Sequence, residues 1–356
     1  MPLLILLAGA LCGCATLSYY RQSLSGQLRI LGQRQDIGTV LRSAETPDAR
    51  KSQLQAVPEL LQFAAEQLAL PDNGSYRTFV ALDQPFVAWN VFATPALSMN
   101  PVRWCYPLAG CFGYRGYFSE TAARAEAGRL RAAGHDVYVG GVAAYSTLGW
   151  FKDPILSSML RADQLDFAAL LFHELAHQRL WLPDDTDLNE AFAESVARIG
   201  VERLAQTRGN ADLQRFHDRT LQDDRFFALV LRHKQILAAL YATDAPDWRK
   251  LELKEQQFNA LRAACKALPE DPDQPGRFDQ WLKTDLNNAK LLALSEYRDL
   301  VPGLLQIHQL RGLDLETFYA LLQRLKDCSV AARHDWVRSG GSLPECWTRG
   351  RFPPDS

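Results

Sequence analysis

An apolar stretch over residues 165–182 contains two histidines and a glutamate, and it constrains the fold of this chain more than any other segment. Its apolar residues have helical spacing but cover almost the whole circumference, which predicts a buried helix. In the run His173-Glu174-Leu175-Ala176-His177, the two histidines are four residues apart and therefore share one face of that helix. Two imidazoles and a carboxylate are costly to bury without partners, and a metal ion is one such partner.

The spacing of this HExxH pattern predicts a catalytic zinc site. His173 and His177 present imidazole nitrogens to one metal ion, whereas Glu174 is offset by one residue and lies beside the ion. There its carboxylate can take a proton from a water on the metal and pass it to a leaving amine. The alternative is a cluster of His and Glu side chains that is satisfied within the core. Ligand types alone do not separate zinc from manganese or cobalt.

A tetrahedral catalytic zinc site needs a third protein ligand, and the next predicted helix supplies candidates. A proline ends the first helix, a short turn follows, and the second helix begins with Asp187. Glu190 is the first candidate, although the same carboxylate could instead cap its own helix. Asp184 and Asp185 in the turn could bind a substrate ammonium or could serve the turn alone.

The Asn189-Glu190 dipeptide resembles the second motif of the gluzincin class of zinc metallopeptidases. This resemblance implies one Zn²⁺ ion as the cofactor, with Glu190 as the third ligand. It also implies that Glu194, one turn later, hydrogen-bonds a ligating histidine, for which we expect His173. Because only twelve residues separate His177 from Glu190, fewer than in the better-known gluzincins, Glu194 is a rival third ligand.

Most of the chain is also similar to a family of bacterial lipoproteins that are predicted to be zinc aminopeptidases. The similar phrases are Tyr19-Tyr20-Arg21-Gln22 with Gly26-Gln27, Trp89-Asn90-Val91, Trp104-Cys105 to Gly113-Tyr114-Arg115-Gly116-Tyr117-Phe118, and Ala144-Tyr145-Ser146-Thr147-Leu148-Gly149-Trp150-Phe151 with Asp153-Pro154. The similarity implies hydrolysis of a peptide substrate, and the aminopeptidase expectation rests on it alone. The alternatives are an envelope endopeptidase of the quality-control type and a metal-stabilised scaffold lipoprotein that binds peptides without cutting them.

The amino-terminal residues predict an exported, lipid-anchored protein. The apolar run Leu3–Leu11 is too short to span a bilayer but has the length of a signal-peptide core. It leads into Leu11-Cys12-Gly13-Cys14, which resembles a bacterial lipobox with Cys14 as the lipidation site. No Lys or Arg precedes the run, and a buried helix is the alternative. Since Ala15 gives no inner-membrane retention signal, we expect the periplasmic face of the outer membrane, in the bacterial cell envelope.

Export would place the cysteines in an oxidising compartment, where disulfides form. Cys105 and Cys111 flank a loop that contains Pro and Gly, and they form a candidate pair. Cys328 and Cys346 form a second candidate pair, which leaves Cys265 over. Buried free thiols are the alternative, since pairing does not follow from sequence.

The composition is that of an ordinary globular protein, with 356 residues of which 47% are hydrophobic and 22% charged. The 39 basic and 41 acidic residues give a net charge of −2. This balance removes the electrostatic basis for binding nucleic acid, so we expect no nucleic-acid partner. The expected contact with a membrane is the lipid anchor.

Residue periodicity predicts an α+β fold that is mostly α-helical, with a small sheet before the HExxH helix and a C-terminal helix bundle. Strands are predicted at 86–92, 136–139 and 142–145, and helices at 19–31, 51–70, 119–133, 165–182, 187–208, 213–241, 248–268, 278–300 and 315–332. A polar, Pro-rich connector is predicted at 269–276. The predicted parts are a lipoprotein signal peptide (1–13), an N-terminal helical segment (14–75), a zinc metallopeptidase core (76–210), a C-terminal helical bundle (211–343) and an irregular tail (344–356).

Tyr145 is the catalytic candidate outside the motif. It lies at the end of a predicted strand shortly before the HExxH helix, where a peptide could add as a further strand and a phenol could stabilise an oxyanion. Tyr114, Arg115 and Tyr117 form a second cluster of this kind. The alternative for each of these side chains is packing against the sheet.

Overall fold

The computed structural model describes residues 19–106, 110–161, 163–208, 212–269, 276–295, 299–342 and Cys346. The predicted signal peptide, the lipidation site Cys14, most of the predicted connector and nearly all of the predicted tail lie outside these residues. The helices are α1 (19–32), α2 (Ile37–Arg42), α3 (Asp48–Leu68), α4 (Glu120–Ala132), α5 (Gln164–Arg179), α6 (Thr186–Arg208), α7 (Leu213–Tyr241), α8 (Asp247–Lys266), α9 (Asp279–Lys283), α10 (Asn288–Ser295), α11 (Val301–Leu310), α12 (Leu315–Gln323) and α13 (Val330–Arg338). The predicted fold class, a mostly helical α+β fold, is confirmed.

The strands are short and form separate small sheets. They are β1 (Gln35–Asp36), β2 (Thr78–Val80), β3 (Ala88–Pro95), β4 (Trp104–Tyr106), β5 (Gly110–Phe112), β6 (Tyr114–Tyr117), β7 (His135–Val142) and β8 (Ile155–Leu156). In the largest sheet β3 lies between β6 and β7, and both pairings are antiparallel. In another, β2 pairs antiparallel with β1 and parallel with β8, and β4 with β5 forms a hairpin. All of these strands precede α5, as the predicted sheet does.

Four of the predicted elements, two strands and two helices, have the wrong boundaries. The two predicted strands at 136–139 and 142–145 are one strand, β7, which ends at Val142. The predicted helix at 278–300 is interrupted, because the side chain of Asn287 accepts a hydrogen bond from the amide of Lys290 and starts α10 there. The predicted helix at 315–332 is also interrupted, since Ser329 caps the first turn of α13. Side-chain caps of this kind end and restart helices without changing the apolar periodicity.

The main hydrophobic core combines early and late parts of the chain. Its buried residues come from α1 to α3, from α5 and α6, and from α11 to α13. Tyr319 on α12 illustrates the packing, because its hydroxyl donates to the carbonyl of Leu68 at the end of α3. A second cluster joins α7 to α8, α9 and α10 around Phe226 and Phe258. The helices that carry the HExxH motif and Glu190 belong to the main core, whose close packing holds them in position.

Two disulfides join cysteines that the sequence paired as candidates. Cys105 is bonded to Cys111 across the β4–β5 hairpin, and Cys328 is bonded to Cys346. Cys265 is a buried free thiol. No helix within the described ranges combines the length and apolarity that crossing a bilayer requires.

Candidate metal centre

The helix α5 carries the HExxH motif as a buried element. Asp163 caps its start, since its carboxylate accepts hydrogen bonds from the amides of Leu165 and Asp166. The core residues on α5 include Phe167, Ala168, Leu171, Phe172, Leu175 and Ala176. Because these residues occupy most of the helix circumference, His173 and His177 are fixed in orientation at the one face that remains polar.

The turn between α5 and α6 positions the third candidate ligand. Asp185 is buried and accepts hydrogen bonds from Arg333 and His334 on α13, and one of its oxygens also accepts from the amide of Leu188. The side chain of Asn189 spans the turn, because it both accepts from the amide of Leu182 and donates to its carbonyl. Asp185 and Asn189 thus anchor the first turn of α6, and Glu190 follows directly.

His173, His177 and Glu190 come together in space. The two Nε2 atoms of the histidines are 3.2 Å apart, and Nε2 of His173 is 3.2 Å from Oε2 of Glu190. Nε2 of His177 is 3.6 Å from Oε1 of Glu190. Ligands at the corners of a tetrahedron around zinc, with bonds near 2.1 Å, are about 3.4 Å apart. The spacing of these three groups therefore fits one zinc-sized ion.

The protonation of this cluster also fits a cation. Both imidazoles can donate to the carboxylate of Glu190, but the 3.2 Å contact between their Nε2 atoms would then bring two N–H groups together. A metal ion that accepts a lone pair from each Nε2 atom removes this conflict. Burial alone would raise the pKa of Glu190, but His177 and His173 outweigh it and hold the pKa of this carboxyl well below its usual range. Nδ1 of His177 is buried without a hydrogen-bond partner among the described residues. A carboxylate that stays ionised beside two imidazoles is a suitable ligand set for a divalent cation.

Glu174 has an environment that suits a proton carrier. Its side chain is buried, and Oε2 has no hydrogen-bond partner in the described part of the chain. The pKa of Glu174 is raised to about 7, mainly because the group is buried; His177 lowers it, and the carboxylates of Glu190 and Asp153 raise it. A carboxyl group with a pKa near neutrality can both accept and release a proton.

The sequence alone did not predict a polar network near Glu174 that is formed by Asp153, Thr147, Gln178 and Tyr76. Asp153 is buried and accepts hydrogen bonds from the amide and hydroxyl of Thr147 and from Nε2 of Gln178. Tyr76 is also buried, with its amide donating to the carbonyl of Asp153. Burial and the nearby carboxylates of Glu174 and Asp153 raise the pKa of Tyr76. The phrase from Ala144 to Phe151 with Asp153-Pro154 pointed to this region, but Tyr76 and Gln178 are distant from it in sequence.

A cleft leads away from the motif between α5, α6 and α7. It has a volume of about 350 Å³, and His173 and Glu174 line one part of it. Glu194 lines the same cleft, and its carboxylate accepts a hydrogen bond from Nε of Arg198 at 2.8 Å. This volume is within the range of small-ligand sites. The cleft therefore gives a ligand access to His173 and Glu174.

Tyr145 and the second aromatic cluster have other contacts. The hydroxyl of Tyr145 donates to Gln27 on α1, so it is not bonded to the His-His-Glu group. Arg115 lies over the ring of Tyr19, with 4.0 Å between its guanidinium carbon and the ring centre. The ring of Tyr117 packs edge-on against that of Tyr19. In the turn, Asp184 accepts a hydrogen bond from the amide of Cys111, which ties the disulfide hairpin to the α5–α6 turn.

Comparison with known proteins gives one family. A family model described as "Putative aminopeptidase" matches residues 18–337, which is most of the chain and includes all of the groups above. No curated protein matches the chain. No solved structure matches it either.

Proposed function

The chain belongs to the "Putative aminopeptidase" family, and we propose that it is a zinc-dependent aminopeptidase of the bacterial cell envelope. The observation that carries the zinc proposal is the cluster of His173, His177 and Glu190, whose ligand atoms all lie within 4.8 Å of one another. The buried, unpartnered Glu174 beside this cluster supports hydrolysis rather than a purely structural metal site. Peptide hydrolysis and the aminopeptidase assignment are supported by the family description.

The three clustered side chains would hold one Zn²⁺ ion. Bound there, zinc would polarise the scissile carbonyl and lower the pKa of water toward neutrality. Glu190 supplies the negative charge of the ligand set, and the two imidazoles supply neutral nitrogen donors. Glu194 lines the same cleft as His173, and we assign it to orienting that histidine rather than to ligation.

Glu174 is the proposed general base and acid. Its carboxylate takes a proton from the attacking water and later gives it to the leaving amine. The apolar packing of α5 keeps this carboxylate in a dry environment, which strengthens its electrostatic interactions. A catalytic role for Tyr145 stays a prediction, since its hydroxyl is bonded to Gln27.

The products of peptide cleavage test this function. The full chain, solubilised in detergent and loaded with zinc, is incubated with a peptide mixture of which half is N-acetylated. We expect stepwise loss of residues from free N-termini only, read by mass spectrometry. Internal cuts in both the free and the N-acetylated peptides would show that the protein is an endopeptidase and not an aminopeptidase. Absence of cleavage with zinc bound would favour a scaffold that binds peptides without cutting them.

We also propose attachment to the outer membrane through lipidated Cys14. The chain between Cys14 and the start of α1 can extend by only about 17 Å, so α1 would lie at the membrane surface. On the outer face of α1, Tyr20, Leu24 and Leu28 recur every four residues and are 42%, 62% and 57% exposed. A helix with such an apolar stripe suits the interface of a bilayer.

The location is tested by fractionating bacteria that express the full chain. We expect the protein in the membrane fraction and expect Cys14→Ala to lose the lipid and move to the soluble fraction. Cys12→Ala is the matched control, because this cysteine precedes the proposed cleavage point. Equal membrane retention of all three proteins, with no lipid found on Cys14 by mass spectrometry, would refute the anchor.

A further inference from the structure

Arginine side chains line the cleft beside the candidate metal centre. Among the described residues, four arginines line it, and carboxylates neutralise three of them. The ion pairs are Arg198 with Glu194 and Asp224, Arg219 with Asp163 and Asp166, and Arg277 with Asp223. The fourth arginine is Arg161, which lies just before α5.

Arg161 has a different set of partners. Its Nη1 donates to the carbonyl oxygens of Ser158 and Leu160, at 2.6 and 3.2 Å, and it has no ion pair with a carboxylate in the described part of the chain. Asp166 interacts with it electrostatically but is bonded to Arg219. Nε and Nη2 are thus left with no hydrogen bond from the described residues.

The backbone that carries Arg161 is held in place from α3. The side chain of Gln53 accepts a hydrogen bond from the amide of Arg161 and donates one to its carbonyl. The two carbonyl acceptors then fix the guanidinium itself. The guanidinium of Arg161 therefore lies in the cleft beside His173 and Glu174 with two nitrogens that no described residue binds, a geometry that suits a ligand with hydrogen-bond acceptors.

We propose that Arg161 binds a carboxylate of the peptide substrate and so makes the enzyme selective for peptides that carry one in the cleft. The proposal rests on the peptidase function proposed above and names the substrate class of that site. The planar guanidinium can bind a carboxylate through two parallel hydrogen bonds, a geometry that Lys cannot provide. The carboxylate can come from an acidic side chain or from the free C-terminus of a short peptide.

Steady-state kinetics with matched peptides test this selectivity. One set of peptides differs only in a free or an amidated C-terminus, and another differs only in Glu or Gln at each position in turn. The wild-type enzyme should prefer one carboxylate-bearing member by about tenfold or more in kcat/KM, mainly through KM. If kcat/KM depends only on whether the C-terminus is free or amidated, the bound carboxylate is the C-terminus. If it depends only on Glu or Gln at one position, the bound carboxylate is an acidic side chain.

Arg161→Gln should abolish this preference, because KM for the carboxylate peptide rises toward the value for its neutral counterpart. Arg161→Lys keeps the positive charge but loses the planar group that forms two parallel hydrogen bonds, so it should retain part of the preference. This variant provides the test if Arg161→Gln does not fold. Arg124→Gln is the control, because Arg124 is an exposed residue that pairs with Glu120 on α4. Equal cleavage of carboxylate and neutral peptides by the wild type, or an unchanged preference in both Arg161 variants, would overturn the proposal.

A binding measurement separates this proposal from the proposed function. Calorimetry with zinc-loaded Glu174→Gln protein reports peptide binding without turnover. Carboxylate-dependent binding that disappears with Arg161→Gln supports the subsite even if the wild-type protein cuts nothing. Binding that ignores both the carboxylate and Arg161 refutes the subsite even if the protein is an active peptidase.

Discussion

Replacement of Glu174 by Gln is expected to remove turnover while zinc binding is kept. The amide cannot accept a proton from water, so the contribution of general acid–base catalysis, about 10²- to 10⁴-fold, is lost from kcat. The change is nearly isosteric and does not touch the three proposed ligands. The measurements are kcat on a peptide with a free N-terminus and zinc content by elemental analysis. Glu252→Gln, an exposed glutamate that pairs with Arg249 on α8, is the matched control.

The stability of the same variant gives a second readout. Glu174 is buried, and burial raises its pKa to about 7, so its ionised form destabilises the folded protein near neutral pH. In the metal-free protein, Glu174→Gln should therefore unfold at the same temperature as the wild type or at a higher one. Loss of activity together with loss of stability would mean that the variant is misfolded. Full activity with Gln at this position would exclude Glu174 as the base.

The helices of the site could be predicted from sequence because their signals are local. The apolar circumference of residues 165–182 indicates one buried helix, and the spacing of His173 and His177 places both on one face. Glu190 directly follows the first turn of the next helix, so a short connection is enough to bring it near. The structure brings these three groups together, while their roles remain proposals.

The remainder of the site could not be predicted, because it is made by contacts between distant segments. The carboxylate of Asp153 accepts a hydrogen bond from Gln178, and its amide donates to the hydroxyl of Ser75. The amide of Arg161 donates to Gln53 on α3. No periodicity relates such residues, and each one alone looks like an ordinary polar residue of a loop or helix. The interruption of the helix predicted at 278–300 has a similar origin, since one Asn cap decides it.

Substitution of the two glutamates on α6 should separate the third ligand from its rival. Glu190 lies 3.2 Å from Nε2 of His173, whereas Glu194 is bonded to Arg198. Glu190→Gln replaces a charged ligand by a neutral one, which leaves two strong ligands, and we expect the protein to lose zinc during dialysis. Glu194→Gln should weaken zinc binding by about 10- to 100-fold, the usual effect of a partner that orients a ligand.

Competition with a chromophoric chelator measures both zinc affinities on the same scale. The comparison is informative because the two variants remove the same charge from the same helix, one turn apart, so general electrostatics cannot account for a difference between them. A larger loss for Glu194→Gln than for Glu190→Gln would make Glu194 the ligand. That result would require a rotation of α6 relative to α5, against the anchoring of its first turn by Asn189 and Asp185. We therefore expect Glu190→Gln to show the larger loss.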